Sequence, residues 1–228
     1  MGSGKLYVAA TPIGNLEDMT FRAVRILGEV GFIAAENSLH ARRLLSHYGI
    51  KTPVVVYSRD RNKRQAGGII GRILSGESAA LITNAGTPGV SDPGPELIRL
   101  AVREGITVEP LPGASALCAA VSVSGMASSN IIFLGYLSPR SGRRKKELSR
   151  YALPGSSIVV YESPHRLLKL LEDIGESLGD RHVVVCRELT KKFEETVRGD
   201  VSFLLEFFAK KKPRGEFTVI ISGREKDE

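Results

Sequence analysis

Short apolar runs alternate with amphipathic segments from one end of the chain to the other. The pattern predicts strands over about 5–10, 31–35, 53–57, 78–83 and 106–110, and helices over about 19–29, 38–48, 63–75, 94–104 and 114–124. Asn15, Glu17 and Asp18 stand near the start of the first helix, where acidic groups suit the positive end of the helix dipole. Short apolar strands separated by helices imply a mostly parallel sheet covered on both faces. The small and polar stretch from Ser124 to Asn130 interrupts the alternation and reads as a linker over 125–130. Strands then resume over about 131–136, 156–161, 182–187 and 214–222, with helices over about 141–151, 164–178 and 200–210. Lys192 to Arg198 reads as an additional short strand. The expected fold class is α/β, with two α/β lobes over 1–124 and 131–228 and a cleft between them, a preferred place for a ligand.

Three loops follow predicted strands of the first lobe and are rich in glycine and proline. They are Thr11-Pro12-Ile13-Gly14-Asn15-Leu16-Glu17-Asp18, Asn84-Ala85-Gly86-Thr87-Pro88-Gly89-Val90-Ser91-Asp92-Pro93-Gly94 and Pro110-Leu111-Pro112-Gly113-Ala114-Ser115-Ala116. Parallel α/β sheets bind ligands at the carboxyl ends of their strands, and loops of this kind can line one crevice there. Glycine permits close backbone approach to a ligand, and proline stiffens the path. None of the loops carries the spaced glycines of a dinucleotide fingerprint or a Walker lysine, which argues against an NAD-type or P-loop ligand.

With 228 residues, 42% hydrophobic and 25% charged, the chain can bury a sizeable core. No apolar run reaches the ~20 residues that span a bilayer, and the amino end leads directly into a strand, so neither a membrane span nor a signal peptide is expected. Cys118 and Cys186 lie in apolar runs and read as buried thiols of a cytoplasmic protein. His40, His47, His165 and His182 lack metal-ligand spacing, so no metal is expected.

The net charge of +7 becomes informative through its distribution. Arg140-Ser141-Gly142-Arg143-Arg144-Lys145-Lys146 carries five cations and no acid, Arg59-Asp60-Arg61-Asn62-Lys63-Arg64 carries four against one, and Lys210-Lys211-Lys212-Pro213-Arg214 adds four. Each cluster alone reads as a solvated face, but together they favour a nucleic-acid partner. Aromatic residues make up 6% and tryptophan is absent, so a single-strand stacking platform is not the expected mode.

The second lobe carries three further segments at strand ends: Tyr161-Glu162-Ser163-Pro164-His165-Arg166, Cys186 to Glu195, and Arg214-Gly215-Glu216-Phe217-Thr218. Ser163 and Pro164 are explained as a helix cap and a first-turn proline. Tyr161, Glu162, His165 and Arg166 are not, since they gather acid, base and cation at a sheet edge.

These six segments recur in the same order in the bacterial 16S rRNA (cytidine 2′-O)-methyltransferase family of the tetrapyrrole methylase superfamily, which the chain resembles from about Lys5 to Gly223. The resemblance implies S-adenosylmethionine held in the cleft between two α/β domains and a homodimer as working unit. It also implies a cytidine of the decoding region as substrate, within the assembled small ribosomal subunit. Carried over position by position, it assigns the cofactor to Pro12, Gly86, Thr87, Val90, Ser115, Ala116, Tyr161, Glu162, Phe217 and Thr218, with Pro12 and Gly14 where the ribose enters. The chain departs from the family pattern at Asn37 and Leu39, at Asn84, and over Ser58 to Asn62, with the loss of acidic groups.

A ribose hydroxyl is a weak acid, so a nearby base or cation assists its attack. Glu36, Glu188 and Lys191 are the candidates, each equally readable as a member of a structural ion pair. Alignment alone would need no base. Arg59, Arg61, Arg140, Arg143, Arg144, Lys145 and Lys146 are the expected phosphate contacts. A same-fold methylase acting on a small tetrapyrrole, and a non-catalytic RNA-binding relative, stay open at this level.

Overall fold

The computed structural model describes residues 4–57, 62–126 and 130–223. The chain forms two compact units, Met1–Ser115 and Ala116–Glu228.

The first unit holds β1 (Leu6–Ala9), α1 (Phe21–Glu29), β2 (Phe32–Ala35), α2 (Ser38–His47), β3 (Val54–Val56), α3 (Asn62–Leu74), β4 (Ala79–Ile82), α4 (Pro95–Arg103) and β5 (Val108–Leu111). Its five strands run parallel in the order β3-β2-β4-β1-β5. Alternate residues serve opposite faces, as strand geometry requires. Phe32, Ala34 and Leu81 pack with Ile69, Ile73 and Leu97, while Ile33, Ala35 and Ile82 pack with Ile26, Leu27 and Leu45. Burial on both faces explains why these strands read as unbroken apolar runs. Asn15, Glu17 and Asp18 do not open α1. They belong to a separate 3₁₀ turn over Leu16–Asp18, and Thr20 caps α1 by accepting the Ala23 N–H.

The second unit holds α5 (Ala116–Ser124), β6 (Asn130–Tyr136), α6 (Ser141–Tyr151), β7 (Ser156–Glu162), α7 (Leu167–Leu178), β8 (His182–Arg187), β9 (Glu195–Asp200), α8 (Val201–Lys210) and β10 (Phe217–Ser222). Its sheet runs β6-β7-β10-β8-β9. Here the expectation of mostly parallel pairing fails: β6 and β7 are parallel, whereas β10 lies antiparallel to β7 and β8, and β8 antiparallel to β9. No helix separates β8 from β9, and a connection that short closes only an antiparallel pair. The core of this unit gathers Leu148, Leu170, Leu171, Ile174, Leu204 and Phe208 over Ile158, Val160, Val185 and Val219.

The division of the chain falls at Ser115/Ala116, ahead of the anticipated linker over 125–130. Helix α5 goes with the second unit. It packs beside β10, Tyr161 Oη accepts the Leu117 N–H at its start, and Arg198 donates to the Val123 and Ser124 carbonyls at its end. Cys186 is buried as expected, but Cys118 on α5 is exposed.

Candidate active site

In the first unit the loops after β1, β4 and β5 meet. Thr11 and Gly86 exchange backbone hydrogen bonds, each 2.9 Å, and the buried Thr11 hydroxyl donates to the Thr83 carbonyl at 3.2 Å. Thr87 Oγ1 donates to the Ala114 carbonyl at 3.3 Å. A Cβ added at Gly86 would stand 3.4 Å from Ile13 Cγ2 and 3.8 Å from the Ala114 oxygen. All three predicted loops are thus joined around Gly86, with Pro12 buried beside them. Thr11, which ties them together, heads the first loop, but its tying role carries no distinctive pattern in the sequence. Gly86, Gly89, Ser91 and Gly94 all adopt positive φ, and for Ser91, at 63°, that conformation is strained. Val90 and Ser115 lie half-buried in these loops.

At the neighbouring end of β2, Asn84 Nδ2 donates to Glu36 Oε2 at 3.2 Å. Asn37 caps α2, its Oδ1 accepting the Leu39 and His40 N–H groups at 3.0 and 3.1 Å. Two positions that depart from the family pattern therefore have defined local work. Leu39 is exposed. The remaining departure, Ser58 to Asn62, includes Arg59 and Arg61, which lie outside the described residues.

In the second unit the register brings the three strand-end segments into one row. Phe217 pairs with Glu162 on one side and Arg187 on the other, and Thr218 with Tyr161 and Cys186. Phe217 is a core ring packed edge-on against Phe208. Thr218 is buried, and Ala116 opens α5 half-buried. Glu162 is 2% exposed and accepts the Ser163 N–H at 2.8 Å, with Arg166 Nη2 at 3.1 Å. Burial pushes its carboxyl above the usual range despite the Ser163 N–H and the Arg166 and Arg144 guanidiniums. Arg166 also donates to the Leu137 and Ser138 carbonyls, which makes Glu162 and Arg166 a structural clamp on the segment after β6.

Glu188 and Lys191 form an ion pair. Lys191 Nζ lies 3.0 Å from Glu188 Oε1 and 2.7 Å from Glu216 Oε2, and Glu188 Oε1 also accepts the Glu216 N–H at 2.9 Å. Gly215 makes this possible, since a Cβ there would come within 2.5 Å of Glu188 Cγ. Burial alone would raise the Glu188 carboxyl, but the Glu216 N–H and Lys191 outweigh it and hold it below the usual range. Burial alone would lower the Lys191 ammonium, but Glu216 and Glu188 outweigh it and hold it high. Near neutrality Glu188 is thus a weak base and Lys191 stays protonated, so neither is a ready proton acceptor.

The basic segment on α6 divides into two. Arg144 is 2% exposed, with Nε 2.5 Å from Asp173 Oδ2 and Nη1 3.2 Å from the Ser138 carbonyl, so it is a core ion pair and not a phosphate contact. Lys145 reaches Glu176 on α7 at 2.7 Å. Arg140, Arg143 and Lys146 are exposed and have no ion pair among the described residues. Among those residues no group of histidine, cysteine or acidic side chains is arranged to hold a metal, and no helix is long and apolar enough to cross a membrane.

A parallel α/β unit with joined strand-end loops, followed by a mixed-sheet unit, defines a class. The tetrapyrrole (corrin/porphyrin) methylases match residues 5–204, and the chain belongs to that family. It is 45% identical over 222 residues to a Thermotoga maritima protein named ribosomal RNA small subunit methyltransferase I, covering 97% of this chain and 100% of the relative. A Halalkalibacterium halodurans protein of the same name is 41% identical over 220 residues, covering 96% of this chain and 76% of the relative. The solved structure of a Thermus thermophilus uroporphyrin-III C-methyltransferase complexed with S-adenyl homocysteine shares the fold, with a TM-score of 0.68 at 17% identity over 96% of this chain and 97% of that one.

Proposed function

We propose that this chain transfers a methyl group from S-adenosylmethionine to the 2′-oxygen of a cytidine ribose in 16S rRNA, on the assembled small subunit. The observation that carries the reading is the end-to-end likeness to the rRNA methyltransferase I relatives. The joined loops around Gly86 fit the cofactor. Their run of positive φ, strained at Ser91, is the kind of conformation that ligand sites maintain.

Gly86, Thr87 and Val90 hold the amino-acid part of the cofactor in this reading. Pro12, Ser115, Ala116, Tyr161, Glu162 and Thr218 serve the remainder, with the Phe217 ring supporting them from the core. The bound cofactor supplies an activated methyl on a sulfonium. Glu36 takes the proton of the ribose hydroxyl. Asn84 holds Glu36 Oε2 and so fixes the carboxylate's orientation. Glu188 and Lys191 brace the strand ends. Arg140, Arg143 and Lys146, with Arg59 and Arg61, hold phosphates and so position the RNA without selecting the base. The working unit is a cytoplasmic homodimer.

The test is transfer of labelled methyl onto small subunits from cells that lack this modification, with the label mapped to base or ribose. Label on one cytidine 2′-oxygen is expected. Label on a base, or none on subunits, overturns the reading.

A further inference from the structure

We infer that the cavity between the end of β6 and α6 binds a single nucleotide of the RNA substrate, its base against the Tyr136 ring and its phosphate on Lys146 and Arg150. This rests on the proposed RNA-modifying function and adds a contact that the family motifs do not contain. The cavity encloses about 430 Å³ and is lined by Leu134, Tyr136, Leu137, Lys146, Arg150 and Tyr151, with Ser138 and Glu147 at its polar side. That volume lies within the ~300–1,000 Å³ of small-ligand sites.

The placement of charge on α6 points the same way. Arg144 and Lys145 are engaged by the α7 acids Asp173 and Glu176. Arg143, Lys146 and Arg150 are spaced i, i+3 and i+7, so they form one stripe on a different face of the helix. Two of the three line the cavity. The Arg150 guanidinium lies 5.4 Å from the Tyr151 ring centre. Within the cavity two cations face one carboxylate, and Glu147 already accepts the Ser138 N–H at 3.5 Å. The small positive excess suits one phosphodiester better than a tetrapyrrole bearing several carboxylates.

Tyr136 supplies the aromatic face. It is 59% exposed, and its ring meets that of Tyr161 at 5.7 Å, edge-on, which links the cavity to the row of strand ends. The wall is built in advance. Buried Arg144 and partly buried Arg166 hold the Leu137 and Ser138 carbonyls at 2.8 to 3.3 Å, so little ordering is needed on binding. A base stacks on an aromatic ring without regard to sequence, and the cations meet the backbone. One such site is compatible with a low aromatic content, because it is a single socket and not a platform.

The test measures binding of the full chain to unmodified small subunits, with S-adenosylmethionine affinity and methyl transfer followed in parallel. Tyr136→Ala is expected to weaken subunit binding about tenfold, with Tyr136→Phe close to wild type. Lys146→Gln combined with Arg150→Gln is expected to weaken it as much and to lower the salt dependence by about one phosphate contact, since both cations meet the same phosphate. Cofactor affinity stays unchanged in all three. Variants that bind subunits like the wild type overturn the pocket while leaving the methyl-transfer reading intact. A wild-type chain that neither binds nor methylates subunits overturns the reading on which the pocket rests.

Discussion

Removing the Arg144 side chain would leave the Asp173 carboxylate buried without its cation, with the Ser138 carbonyl short of a donor. Breaking a buried pair from one side costs about 3–5 kcal/mol, so Arg144→Met should show a large stability loss in urea titration while Arg143→Gln, on the exposed stripe, stays near wild type. The Glu188 and Lys191 pair behaves differently because both charges persist across a wide range. The lowered Glu188 value contributes stability that is present above the ordinary glutamate value of about 4.3 and is lost as pH falls through the folded value. The raised Lys191 value contributes stability that is present below about 10.4 and is lost as pH rises through the folded value. Stability of Glu188→Gln relative to wild type should therefore be reduced by a constant amount across neutral pH and converge on wild type in acid. Convergence already at pH 7 would contradict the lowered carboxyl. At Glu36 the neighbouring side chain sets the behaviour. Asn84→Asp places a second carboxylate within hydrogen-bond distance, which keeps one of the two protonated to higher pH. With Glu36 as proton acceptor, the acidic limb of the pH–rate profile moves upward in that variant, and an unmoved limb removes Glu36 from the chemistry.

At the level of elements, helix α5 is held at both ends by the second sheet. Arg198, on β9, donates to the carbonyls of Val123 and Ser124 at the helix carboxyl end, where unpaired carbonyls and the dipole both favour a cation. Arg198→Ala should cost about 0.5–1.5 kcal/mol per bond lost and speed amide exchange in the last turn of α5, with exchange in β10 unchanged. Element positions were legible because the strands are short, apolar and regularly separated from amphipathic helices. Their mutual direction was legible where a helix intervenes or where two strands follow one another closely. The segment from Lys192 to Arg198 read as a strand, and its closeness to Arg187 already required a hairpin, yet the place of β10 between β7 and β8 follows from packing that no local pattern records. Assignment of α5 was hidden for the same reason. Its weakly amphipathic sequence carries no mark of the sheet it covers, and the polar stretch that follows looked like the boundary.

For the molecule as a whole, the net charge of +7 is a statement about association and not about fold. The candidate site was legible as loops, since glycine and proline mark them, but the use of individual cations was not. Arg143, Arg144, Lys145 and Lys146 are adjacent in sequence, and helix geometry alone sends one into the core, one to a surface acid and two to open faces. The electrostatic consequence is measurable. Binding to RNA releases counterions, so affinity for the small subunit should fall linearly with log salt, by ~0.7–0.9 per phosphate neutralised. Cofactor affinity should barely respond. Arg143→Gln should lower the slope by about one contact, whereas Lys145→Gln should lower it less, because Lys145 must leave Glu176 to reach a phosphate. Equal slopes for Lys145→Gln and Arg143→Gln would mean that Glu176 does not compete with RNA. A wild-type slope near zero would mean that the exposed stripe of α6 does not meet the RNA backbone at all.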